Sequence, residues 1–240
     1  MSKEISSSGD TPVSSIASRM AGEERRLQIL RIAVNLFSQK GFRGTTTKEI
    51  AHLAGVSEAM VFRHFATKNE LYSAILDHKA CSGDTLNPEQ IVAEAIAEKD
   101  DHAVFERLAF GALEHHERDP EFQRLLLYSA LEGHELADMF FEKFVERVYQ
   151  LLAGYIRERQ QEGAIRSIEP ALIVRAFVGM IVHHSLNNNL WDPKRRLLNV
   201  SNKDAAMFFT DILLQGIGSI PSDTSRKKAR TAKGSSTSKS

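Results

Sequence analysis

The chain has 240 residues, 42% of them apolar and 26% charged, ordinary proportions for a globular protein of one large or two small domains. Its one cysteine, Cys81, excludes an internal disulfide and suits a reducing cytoplasm. The polar start MSKEISSSGD does not read as a signal peptide, and the apolar run ALIVRAFVGMIV at 171–182, interrupted by Arg175, is too short to span a bilayer. The net charge of zero is unevenly spread. Residues 21–80 carry nine Lys and Arg against six Asp and Glu, residues 81–220 carry fourteen against twenty-two, and residues 221–240 carry six against one. A basic front and an acidic body suggest two parts with different partners.

In chain order, residues 1–20 are Ser-rich and aperiodic and read as a disordered tail. Leu27, Leu30, Val34 and Phe37 share one face of a first helix, which Gly41 ends. Thr46-Thr47-Lys48-Glu49 is a capping box for a second helix, and Thr67-Lys68-Asn69-Glu70 is another for a fourth. Asn87-Pro88 opens a fifth. Helical periodicity then predicts segments over about 101–118, 121–131, 134–162, 170–189 and 203–218, with Asp119-Pro120 and Gly163 as stops. The tail 221–240 is basic and again aperiodic. No run alternates with period two, so the predicted fold is all-α with about nine helices: a helix-turn-helix domain over 21–67, then a larger helical domain over 68–220.

Between the second helix and the fourth, the stretch IAHLAGVSEAMVFRHF has the layout of a helix-turn-helix. Counted from Thr47, the fifth residue, Ala51, must be small where the helices cross, and the ninth, Gly55, must accept a positive φ. Ile50, Ala54, Val56 and Val61 make the small core, while Leu53 and Phe65 offer apolar surface to the first helix. Pinned by Val56, Val61 and Phe65, the helix over about 57–64 presents Glu58, Ala59, Met60 and Arg63 outward, as a helix entering the major groove must.

The stretch GFRGTTTKEIAHLAGVSEAMVFRHFATKNELY, residues 41–72, resembles the DNA-binding domain of TetR-family transcriptional regulators. The resemblance rests on Gly41-Phe42, Thr45-Thr46, Ile50-Ala51, Ala54-Gly55-Val56-Ser57, Phe62, His64-Phe65, Lys68 and Glu70-Leu71, within roughly 25–75. It implies that Thr46, Thr47 and Lys48 hold a phosphate, that Ser57, Glu58, Ala59, Met60 and Arg63 face base edges, and that His64 and Lys68 position the DNA backbone. Phe62 stands where the family often has tyrosine. It has no hydroxyl to give a phosphate, though its ring can pack on sugar or a thymine methyl.

The resemblance also implies a C-terminal domain that binds an effector and dimerises. Val174 and Val178, with Phe208, Phe209, Ile212, Leu213 and Gly216, are the candidate interface of a homodimer. Phe110, His116, Tyr128, Tyr155 and His183 are candidates for lining an effector pocket. Neighbouring histidines on one helix point about 100° apart, and neither a Cys cluster nor HExxH is present, so no metal and no cofactor are expected. GxSxG, glycine-rich phosphate loops and CxxC are absent too, which speaks against an enzyme. The expected protein is a cytoplasmic, ligand-responsive repressor. It binds a palindromic double-stranded DNA operator as a homodimer and is released by a small-molecule effector. The alternative is a helical small-molecule-binding protein with weak or nonspecific DNA binding.

Overall fold

The computed structural model describes residues 13–81 and 87–218, so the tail segments 1–12 and 221–240 lie outside the described residues. In chain order the α-helices are α1 (Val13–Lys40), α2 (Thr47–Leu53), α3 (Glu58–His64), α4 (Lys68–Cys81), α5 (Pro88–Glu98), α6 (Asp101–Arg118), α7 (Pro120–Glu132), α8 (Glu135–Phe140), α9 (Glu146–Gln161), α10 (Pro170–Leu186) and α11 (Asn202–Ile217). A π-turn, Phe141–Val145, joins α8 to α9 without a break, and a second, Asn187–Trp191, extends α10. The helix expected over 134–162 is therefore a helical run with an underwound π-turn in its middle. The fold is all-α, and the extended pairing among the described residues is a lone bridge between Ile165 and Gly218. Helix α1 begins at Val13, so residues 13–20, read from the sequence as part of a disordered tail, are helical backbone.

The chain divides into two compact units, and the division does not fall at 67/68. The first unit takes 1–85 together with 119–140, and the second takes 86–118 and 141–240. The reason lies in α4 and α7. Leu71, Tyr72, Ile75 and Leu76 of α4 are fully buried against Ile29, Leu30 and Phe37 of α1, and Phe122 and Leu125 of α7 close the same core. Tyr72 meets Phe37 edge-on, ring centroids 4.7 Å apart. Asn35 of α1 donates to Glu121 of α7 at 2.8 Å, and Lys79 of α4 pairs with Asp119, the N-cap of α7.

The second unit packs α5, α6, α9, α10 and α11 around Val92, Phe105, Leu113, Leu152, Ile156, Val174, Phe177 and Ala206. Phe105 and Phe177 meet edge-on at 5.1 Å. Each helix start has its own device. Asn87 caps α5, Pro170 fills the first turn of α10, and Ser201 caps α11. Asp101, in the first turn of α6, accepts from the Tyr155 hydroxyl and from Arg159 at 2.8 and 3.0 Å, fixing α6 to α9.

Candidate nucleic-acid interface

Thr46 opens α2 as its N-cap, its hydroxyl accepting from Glu49 N at 3.1 Å. The rest of the capping box is diverted, because the Glu49 carboxylate pairs with Lys40. Ile50, Ala51 and Ala54 are buried, and Gly55 takes φ +64 to turn the chain. Leu53 does not pack on α1 as expected: it is 55% exposed, because it lies about 100° round the helix from the buried row. Ser57 then caps α3, accepting from Met60 N at 3.2 Å. Val61 and Phe65, each 1% exposed, hold α3 down.

With that side fixed, Ala59, Phe62 and Arg63 are exposed, and Met60 is half-buried. Lys48 and Thr46 are exposed at the start of α2. Two of the expected DNA contacts bond to each other, since the Thr47 hydroxyl donates to the Glu58 carboxylate. His64, at the end of α3, titrates below the usual imidazole range, first through burial and then through Arg63 and Arg26. Lys68, expected to position the DNA backbone, also makes contacts within the protein. Its ammonium donates to the Phe42 carbonyl and lies 4.1 Å from the centre of the Phe42 ring. Burial holds it below the usual lysine range. Lys68 is turned inward because the 41–44 turn presents it with a carbonyl and an aromatic face.

The five residues expected to line an effector pocket do not come together. Tyr128 belongs to the first unit, where its hydroxyl donates to Gln39 O at 3.1 Å. Phe110 is exposed, and Tyr155 is committed to Asp101. His116 is packed inside the second unit with Nδ1 2.8 Å from Ser185 Oγ, and burial lowers its pKa to about 4. Only His183 lines a described cavity, one of about 340 Å³ bordered by Met180, His184, Asn188, Leu198 and Phe209. The signal that could have pointed there is the run Asn187-Asn188-Asn189, three carboxamides ending an apolar helix. Among the described residues, no group of His, Cys, Asp or Glu is arranged to hold a metal ion.

The candidate dimer residues divide. Val174 and Leu213 are buried within the subunit's own core, at 0% and 6% exposure, and are corrected out of the interface. Val178 and Phe209 are half-buried, Phe209 with its ring 5.4 Å from that of His184. Phe208, Ile212 and Gly216 are exposed along one row of α11, and Leu172, Gly179 and Val182, missed from the sequence, are exposed on α10. The helical period explains the error. A helix that is apolar nearly all round gives no sign of which apolar residues face inward.

Residues 29–75 match the family model of bacterial regulatory proteins, tetR family. The HTH-type transcriptional regulator YvkB of Bacillus subtilis (strain 168) is 27% identical over 192 residues, 79% of this chain and 95% of YvkB. The HTH-type transcriptional repressor Rv3405c of Mycobacterium tuberculosis (strain ATCC 25618 / H37Rv) is 43% identical over 56 residues, 23% of this chain and 30% of that protein. The solved structure of NalD, secondary repressor of the MexAB-OprM multidrug efflux pump in Pseudomonas aeruginosa, shares the fold with a TM-score of 0.63 at 20% identity, covering 83% of this chain and 98% of NalD. No helix among the described residues is long and apolar enough to cross a membrane. Residues 29–75 thus carry the helix-turn-helix of the tetR family of bacterial regulatory proteins, and the chain is similar along most of its length to an HTH-type transcriptional regulator.

Proposed function

We propose that the chain is a ligand-responsive repressor that binds a palindromic operator as a homodimer and releases it when a small molecule binds the second unit. The observation that carries the reading is the outward side of α3, where Ala59, Phe62 and Arg63 stand exposed while Val61 and Phe65 anchor the opposite side. Such a helix reads base edges in the major groove, with Arg63 suited to guanine O6 and N7. Phosphate contacts fall to the start of α2, through Thr46 and Lys48. One short helix reads only a few base pairs, and a two-fold dimer doubles the site. The exposed apolar row Phe208, Ile212 and Gly216 supports self-association through α11, with Leu172, Gly179 and Val182 of α10 beside it. The cavity beside His183 is the described space that a small effector would enter.

Selection of duplexes from a random pool by the purified protein tests the reading. Inverted repeats with half-sites about 10 base pairs apart, centre to centre, are the expected product. Enrichment of no sequence, with binding that simply follows salt, would favour a helical small-molecule binder with nonspecific DNA affinity.

A further inference from the structure

The turn from α1 into α2 is held by a carboxylate ninety residues away in sequence. Gly41 ends α1 at φ +71, its N–H donating to Phe37 O at 2.9 Å. The next two N–H groups both donate to Glu132, Phe42 N to Oε2 at 2.9 Å and Arg43 N to Oε1 at 3.2 Å. Successive N–H groups after a left-handed residue form a concave seat for an anion, and here the anion is a side chain from the last position of α7. The approach is close: a Cβ on Gly41 would stand 2.5 Å from Glu132 Oε1. On its other edge, the Phe42 carbonyl accepts from Lys68, so charged groups of opposite sign, from α7 and α4, grip one residue. The N-cap of α2, Thr46, follows Arg43 by three residues.

We propose that Glu132 is a positioning residue for DNA binding. By fixing the Phe42 and Arg43 amides it sets where α2 begins, and so where Thr46 and Lys48 meet phosphate. The inference rests on the DNA-binding reading above. A negative charge this near a DNA-facing turn opposes binding, and the two backbone donors offset part of that repulsion.

The test uses the full-length protein and the variants Glu132→Ala, Glu132→Gln and Asn35→Ala. The last cuts the α1–α7 hydrogen bond to Glu121 without touching the turn. Hydrogen exchange over 41–48 should be about tenfold faster in Glu132→Ala, intermediate in Glu132→Gln, which keeps one acceptor, and unchanged in Asn35→Ala. Affinity for a duplex selected by the wild-type protein should fall about tenfold in Glu132→Ala, with a flatter dependence on salt as phosphate contacts are lost. Unchanged exchange, an equal effect of Asn35→Ala, or faster exchange with unaltered affinity and salt slope would each overturn the proposal. If Glu132→Ala does not fold, the same comparisons in Glu132→Gln decide. If the wild-type protein enriches no duplex, the DNA-binding reading fails separately. The exchange measurement still decides whether Glu132 holds the turn, and unchanged exchange then overturns that part too.

Discussion

The hydroxyl of Thr47 donates to the carboxylate of Glu58, so the first turn of α2 is tied to the first turn of α3 across the sharp bend at Gly55. This bond gives Glu58 a job that its charge alone would not suggest. A carboxylate on a DNA-facing helix repels phosphates, yet it orients the reading helix. Glu58→Ala is expected to act in opposite directions on two measurements. Stability in denaturant should fall by about 1 kcal/mol as the bond is lost. Affinity for random-sequence duplex at low salt should rise, as a repelled charge is removed. A fall in both would mean that the orientation of α3 outweighs the repulsion.

Arg63 and Lys68 should fail in different ways. Arg63→Ala is expected to weaken binding by about 1–3 kcal/mol per half-site at one base pair and to relax the preference there, read by competition with single-base variants of the selected duplex. Lys68→Ala removes a bond to the Phe42 carbonyl and a cation over the Phe42 ring. It should therefore cost about 1 kcal/mol of stability, and the slope of log affinity against log salt should stay unchanged. A slope flattened by about one unit per half-site would instead assign Lys68 to a phosphate.

His116 makes stability depend on pH in a defined window. Its folded pKa, about 4, lies below the ordinary 6.5 because burial disfavours the imidazolium. The unfolded chain thus binds the proton more readily, and the contribution of the neutral ring is complete above about pH 6.5. It is lost as pH falls toward 4, by an amount on the order of 3 kcal/mol. His116→Gln should flatten the loss of stability between pH 7 and pH 4.5 relative to the wild-type protein, as measured by urea unfolding. Since His64, His134 and His184 are also lowered, the difference between the two proteins is the quantity to read.

Phe208 and Ile212, 63% and 54% exposed, should be tolerant of change within a subunit and intolerant between subunits. Phe208→Glu with Ile212→Glu is expected to raise the dimer dissociation constant about a hundredfold or more while leaving the helical circular dichroism intact, as sedimentation and spectroscopy can show together. Leu213→Glu should do something different, unfolding the second unit, because Leu213 is buried in its core. An unchanged dimer in the double variant would move the interface elsewhere.

The helix-turn-helix was legible because its determinants are local. Thr46 and Ser57 cap, Gly55 turns, and Ile50, Ala51, Ala54 and Val61 are buried, all within a stretch of sequence short enough to read directly. What α7 packs against was not legible. Periodicity shows that Phe122 and Leu125 share a buried side, but it cannot say that the side belongs with α1 and α4. Tyr128 was assigned to an effector pocket for the same reason, and it lies instead beside Gln39 in the first unit. That Lys68 also bonds inward was not legible, because its partner, the Phe42 carbonyl, is a backbone group that no side-chain pattern reveals.

The order in which the chain is made bears on the first unit. Because that unit draws on 119–140 as well as 1–85, the residues that complete it are synthesised after all of α5 and α6. At a ribosomal rate of about 5–20 residues per second, the reading head waits several seconds after α4 has emerged before α7 can cover Tyr72, Ile75 and Leu76. A fragment ending at residue 85 would hold the whole helix-turn-helix motif and still lack the wall of its core. Expressed alone it should aggregate or bind a chaperone, whereas a fragment reaching residue 140 carries everything the head is built from.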